Sequence, residues 1–188
     1  MKPRENPFAS HHLERLPFRF PPGDSWDGLL GRLAAGNWQG SVVGPHGSGK
    51  TTLLEQLAPR LAERGFVPRL FTLHTETTLR EKRTLVDAIR PLRAPDFLLL
   101  DGAEQLTTRE WLPLRAAAHQ CAGSILTLHR AGRLPVILET ASSPSLLEYF
   151  VDELSGARLP AGKAASIFQR HHGNLRACFR ELYDRWAG

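Results

Sequence analysis

Short apolar runs alternate with longer stretches of helical period along most of this chain. Gly40, Ser41, Val42 and Val43 form a short β-branched run suited to a buried strand. Residues 66–73, 97–101, 124–129 and 134–139 read as four more strands, the first of these with Pro68 near its start. Between the first two, Leu53, Leu54, Leu57 and Leu61 recur at helical spacing up to Gly65, and Pro59 is expected to interrupt that helix. Further helices are predicted over residues 77–90 and 108–121. In the third run, Phe97, Leu98, Leu99 and Leu100 are followed at once by Asp101. A strand apolar on both faces belongs inside a parallel sheet, whose ligands bind beyond the carboxyl ends of the strands. Five strands alternating with helices predict an α/β fold: a doubly wound, mainly parallel five-stranded sheet with right-handed crossovers.

The flanks read differently. Phe8, Phe18, Phe20, Pro21 and Pro22 lie in a stretch without period, so residues 1–24 are expected to form an extended arm. Asp24 or Ser25 can cap a helix through Leu29, Leu30 and Leu33 that ends near Gly36. After residue 142 the pattern is helical only, over 146–154, 161–172 and 175–186. That tail is expected to be too short for a core of its own and to form a small helical lid. The predicted organisation is therefore an arm over 1–24, an α/β domain over 25–142 and a lid over 143–188.

Composition narrows the class. The chain has 188 residues, 41% hydrophobic and 23% charged, which suits one domain with a small appendage. No apolar stretch approaches the roughly 20 residues of a membrane span, and no apolar segment follows the first residues as in a secretory leader. Cys121 and Cys178 show neither metal nor redox spacing, and the adjacent pairs His11-His12 and His171-His172 also lack metal spacing. A cytoplasmic location is expected. The net charge of +5 comes almost wholly from arginine, since the lysines are only Lys2, Lys50, Lys82 and Lys163. It points to an acidic partner, nucleic acid or protein, but the arginines are spread out, which favours a solvated surface over a nucleic-acid face. The densest group is Arg80, Lys82, Arg83, Arg90 and Arg93.

One motif constrains function more tightly than all of this. Gly44, Pro45, His46, Gly47, Ser48, Gly49, Lys50 and Thr51 spell G-x-x-x-x-G-K-T between a predicted strand and a predicted helix, with Thr52 continuing the stretch. The glycines let successive backbone N–H groups turn toward phosphate oxygens. Lys50 can reach the β- and γ-phosphates, Thr51 can supply a magnesium ligand, and the helix that follows aims its positive end at the anion. Asp101, at the end of a buried strand, is the expected second magnesium ligand. Glu104 is a candidate to activate water against the γ-phosphate, or equally a solvated helix-start residue. Thr127, His129 and Arg130 cluster at the end of the fourth strand, where a γ-phosphate sensor would lie if that strand neighbours the first. Arg176 falls at the edge of the apolar stripe Leu175, Phe179, Leu182, Tyr183 and Trp186, and can reach phosphate or simply be solvated. No Asn-Lys-x-Asp guanine reader is present, so ATP is expected rather than GTP.

These motifs resemble the AAA+ ATPases and the related STAND ATPases over residues 25–188. Gly44 to Thr51 looks like Walker A, and Phe97 to Asp101 looks like Walker B. The run Asp101-Gly102-Ala103-Glu104-Gln105-Leu106 is similar to the glycine-bearing Walker B of the NACHT group, where a later acidic residue takes the catalytic place. Thr127 to Arg130 is similar to a sensor 1 strand end, and Gly173-Asn174-Leu175-Arg176 to sensor 2, which would assign Arg176 to the γ-phosphate. The resemblance implies ATP and Mg2+ as ligands, hydrolysis that switches the lid, and a homo-oligomer in which Arg130 or Arg133 of a neighbour completes the site. The expected function is an ATP-binding, ATP-hydrolysing switch or motor acting on a macromolecular partner. A small-molecule P-loop kinase and a nonhydrolytic ATP-bound adaptor are the alternatives.

Overall fold

The computed structural model describes residues 5–187, so the first four residues of the predicted arm and Gly188 lie outside the described residues. Packing divides the chain into two compact units. One comprises residues 20–44 and 50–139; the other comprises the described residues up to 19, residues 45–49 and the segment from 140 onward.

The first unit is a sheet covered by helices. Its strands are β1 (Gln39–Val43), β2 (Val67–Thr72), β3 (Asp96–Asp101), β4 (Gly123–Leu128) and β5 (Val136–Glu139). They lie in the order β2-β3-β4-β1-β5, and every pairing is parallel, as the buried apolar runs predict. Leu98, Leu99 and Leu100 are fully buried, which both faces of an inner strand require. The helices are α2 (Trp26–Ala35), α3 (Lys50–Ala62), α4 (Leu79–Ile89) and α5 (Thr108–Ala118); α1 (Ser10–Leu13) belongs to the other unit. Ser25, one of the two expected caps, accepts from the Gly28 amide and starts α2. Thr78 and Thr107 start α4 and α5 with complete capping boxes.

Pro59 does not interrupt α3. It withholds one N–H, yet the helix continues to Ala62 and the Glu63 amide donates to Pro59 O at 3.0 Å. The fifth strand begins two residues later than its apolar run. Leu134 and Pro135 precede it: the Leu134 carbonyl accepts from the Ser41 hydroxyl at 3.0 Å, and the Pro135 carbonyl accepts the Ser41 amide at 2.7 Å, which opens the ladder to β1. At the opposite edge, the amide of Val67 donates to Pro95 O and that of Leu73 to Asp101 O. Alternation along β2 therefore turns the position of Pro68 toward the open edge, where its missing N–H denies one bond to an incoming strand.

The second unit is helical, with α1 (Ser10–Leu13), α6 (Pro144–Ser155), α7 (Lys163–Arg170) and α8 (Leu175–Ala187). Two expectations change here. The N-terminal stretch is not wholly extended, since Ser10–Leu13 makes one helical turn. The tail does have a core, because Phe8 and Leu16 join Leu147, Val151, Ile167 and Phe179 in one buried cluster. Phe8 stacks on Phe179 with ring centroids 6.4 Å apart and meets Trp186 edge-on at 5.6 Å. Asn6 fixes the approach by donating from Nδ2 to Tyr183 O at 2.9 Å. Counting helices alone misses this core, whose missing apolar surface is supplied from the other end of the chain.

Candidate functional site

Sheet order decides which side chains meet. With β4 between β3 and β1, the carboxyl end of β3 delivers Asp101 beside Thr127 of β4. Thr127 Oγ1 donates to Asp101 Oδ1 at 2.5 Å, and Thr51 Oγ1, in the first turn of α3, donates to Asp101 Oδ2 at 2.6 Å. Thr127 also accepts the Gly102 amide at 2.8 Å, so its hydroxyl is committed on both sides. Lys50, the first residue of α3, is buried and donates from Nζ to Gly44 O at 2.6 Å. Burial pulls the Lys50 ammonium below the usual lysine value, and the nearby carboxylates of Glu104 and then Asp101 oppose that shift.

Gly102 explains why no acidic residue follows Asp101. Its φ is +74°, and a Cβ there would sit 2.2 Å from the Leu73 carbonyl oxygen, which the backbone cannot vacate while Leu73 N pairs with Asp101 O. The acidic side chain comes later instead, on the 3-10 turn Ala103–Gln105. Glu104 Oε1 lies 3.1 Å from His129 Nε2. Glu104 Oε2 is buried and has no hydrogen-bond partner among the described residues. A buried carboxylate oxygen in that condition is costly, a feature concentrated at functional sites.

The middle of the glycine-rich loop belongs to the helical unit. Ser48 Oγ donates to Pro45 O at 2.9 Å and lies 2.6 Å from Thr140 Oγ1. Gly47 and Gly49 both have positive φ, +72° and +89°. A Cβ on Gly47 would come within 2.2 Å of Asn174 Oδ1, and one on Gly49 within 3.2 Å of the Phe18 ring. Pro45 and His46 are exposed, and Thr52 is half-buried on α3. Arg176 is exposed in the first turn of α8.

The other candidates sit in the sheet unit. Arg130 is exposed. Arg133 donates to Leu106 O and lies over the Trp111 ring at 5.2 Å; burial pulls its guanidinium down, with Glu104 and Glu110 opposing. The densest cationic group is partly engaged internally. Lys82 donates to Gln105 O, Arg90 lies 3.6 Å from Asp87, and Arg93 donates to the Arg90 and Leu92 carbonyls. Sequence reasoning names Phe18 and Asn174 without linking either to the loop, and passes over Thr140. Asn174, directly ahead of a predicted helix, carries a capping signal, but nothing in the sequence links it to the loop.

Two solved structures, both variants of Thermotoga maritima RuvB, match this chain with TM-scores of 0.59 and 0.55 at 18% and 16% identity. The chain shares its fold with these structures. The matches cover 87% and 84% of this chain but 61% and 60% of the RuvB chains, so it spans about three fifths of their length. No family model and no curated protein matches the sequence. At these identities the likeness concerns the fold. Among the described residues, no helix is long and apolar enough to cross a membrane.

The oxygens around Asp101 suit a hard cation. A threonine hydroxyl and a carboxylate converge from α3 and β3 with no nitrogen or sulfur among them, the donor chemistry that Mg2+ prefers.

Proposed function

We propose that this chain binds Mg-ATP on its glycine-rich loop and hydrolyses it, acting as a switch or motor on a macromolecular partner. The observation that carries this reading is the meeting of Thr51 and Asp101 at 2.6 Å, with the buried Lys50 next in sequence to Thr51. Residues fifty positions apart supply the oxygen ligands, and Lys50 supplies the cation, that a nucleoside triphosphate with its metal needs.

In this reading Lys50 exchanges its bond to Gly44 O for a phosphate oxygen. Thr51 and Asp101 would hold the metal, which would supply charge neutralisation to a bound polyphosphate. Thr127 acts through Asp101, fixing the rotation of the carboxylate. Glu104 offers Oε2 to the proton of the attacking water, while Oε1 stays near His129. Arg176, one residue beyond the Leu175 amide that faces Gly47, is the proposed γ-phosphate cation of the helical unit. The glycine after Asp101 favours the NACHT-like variant of the fold, with the base displaced to position 104. The cationic residues of α4 make an acidic partner the first to test.

A nonhydrolytic adaptor is the second reading, and Gly102 favours it, since no carboxylate can stand beside Asp101. The deciding measurement is phosphate release from ATP with Mg2+, with and without DNA, for the wild type and Lys50→Ala. Turnover that disappears in the variant supports the hydrolase. Tight ATP binding without turnover supports the adaptor, and turnover that survives Lys50→Ala sinks both.

A further inference from the structure

We propose that Asn174 is a positioning residue for the phosphate loop, one side chain serving at once as the cap of α8 and as the wall that seats Gly47. Its Oδ1 accepts the Ala177 amide at 3.3 Å, the bond that opens a helix, and the same oxygen lies 2.2 Å from where a Cβ on Gly47 would stand. The Leu175 amide nitrogen is 2.9 Å from that point, so backbone and side chain together line one side of the glycine. Gly47 is held in the left-handed region, at φ +72°, by an element more than a hundred residues away.

The two residues that follow are seated in the same way. Ser48 is buried, and its hydroxyl lies 2.6 Å from that of Thr140, itself buried just after β5. Gly49, also left-handed, lies against the ring of Phe18. Three consecutive loop residues thus each rest on one side chain, from the N-terminal segment, the residue after β5 and the cap of α8. A loop whose amides must converge on phosphate loses less entropy on binding when its backbone is already fixed.

This inference rests on the reading of residues 44–51 as a phosphate site, and two measurements separate the fates of the two ideas. The first needs no nucleotide: hydrogen exchange at the amides of His46, Gly47, Ser48 and Gly49 in wild type, Asn174→Ala and Thr140→Val. Loss of protection at these amides is expected in both variants, and protection equal to wild type overturns the proposal. The second is ATP affinity in Asn174→Asp. Aspartate caps a helix as well as asparagine, so thermal stability is expected to hold. Its charge at Gly47, however, opposes a bound polyphosphate, and affinity is expected to fall about tenfold or more. Undiminished affinity in Asn174→Asp overturns the proposal while leaving the ATP reading intact. A wild type that binds no ATP overturns the functional reading, and the exchange measurement then decides the seating of the loop alone.

Discussion

Thr127 and Asp101 are joined by a 2.5 Å hydrogen bond across adjacent strands, and the same hydroxyl accepts the amide of Gly102. One buried oxygen therefore sets both the carboxylate rotation and the turn that leads away from it. Thr127→Val keeps the shape but strands both partners, and is expected to destabilise the fold by about 1–3 kcal/mol. Chemical denaturation measures this, and Thr127→Ser should remain close to wild type.

Gly102→Ala tests the turn itself. The left-handed backbone alone costs a non-glycine residue about 1–2 kcal/mol, and the approach to Leu73 O adds to it. A lowered unfolding midpoint is expected. Gly102→Glu, which would place an acid directly after Asp101, should lose stability rather than gain turnover.

Glu104→Gln separates chemistry from binding. If Glu104 is the base, kcat should fall by about 10²–10⁴-fold while ATP affinity is retained. Single-turnover phosphate release together with equilibrium nucleotide binding distinguishes these outcomes.

Acid should weaken the helical unit through Glu181. Hydrogen bonding from Arg170, then from His171, and the charges of Arg185 and Arg170 hold its carboxyl at about 2 rather than the usual 4.5, against an opposing push from burial. The unfolded chain therefore takes up this proton first as pH falls. The stability Glu181 contributes is complete above about pH 4.5 and is lost progressively toward about pH 2. Glu181→Gln should flatten that part of the acid-unfolding curve, measured by denaturant midpoints across the same window.

The parallel sheet and the reading of a phosphate loop were both legible along the chain. Both depend on local chemistry: buried strands must be apolar on both faces, as at residues 97–100, and a backbone that curls around phosphate must carry glycine at fixed intervals. The pairing of Thr127 with Asp101, the close approach at Gly102 and the seating of Gly47 on Asn174 were decided only by tertiary structure. Each joins groups more than 25 residues apart, and no spacing along the chain encodes such a distance. The helical core was hidden for the same reason. Phe8 and Leu16 carry no helical period, and their apolar surface became part of that core only when folding brought them to α6 and α8.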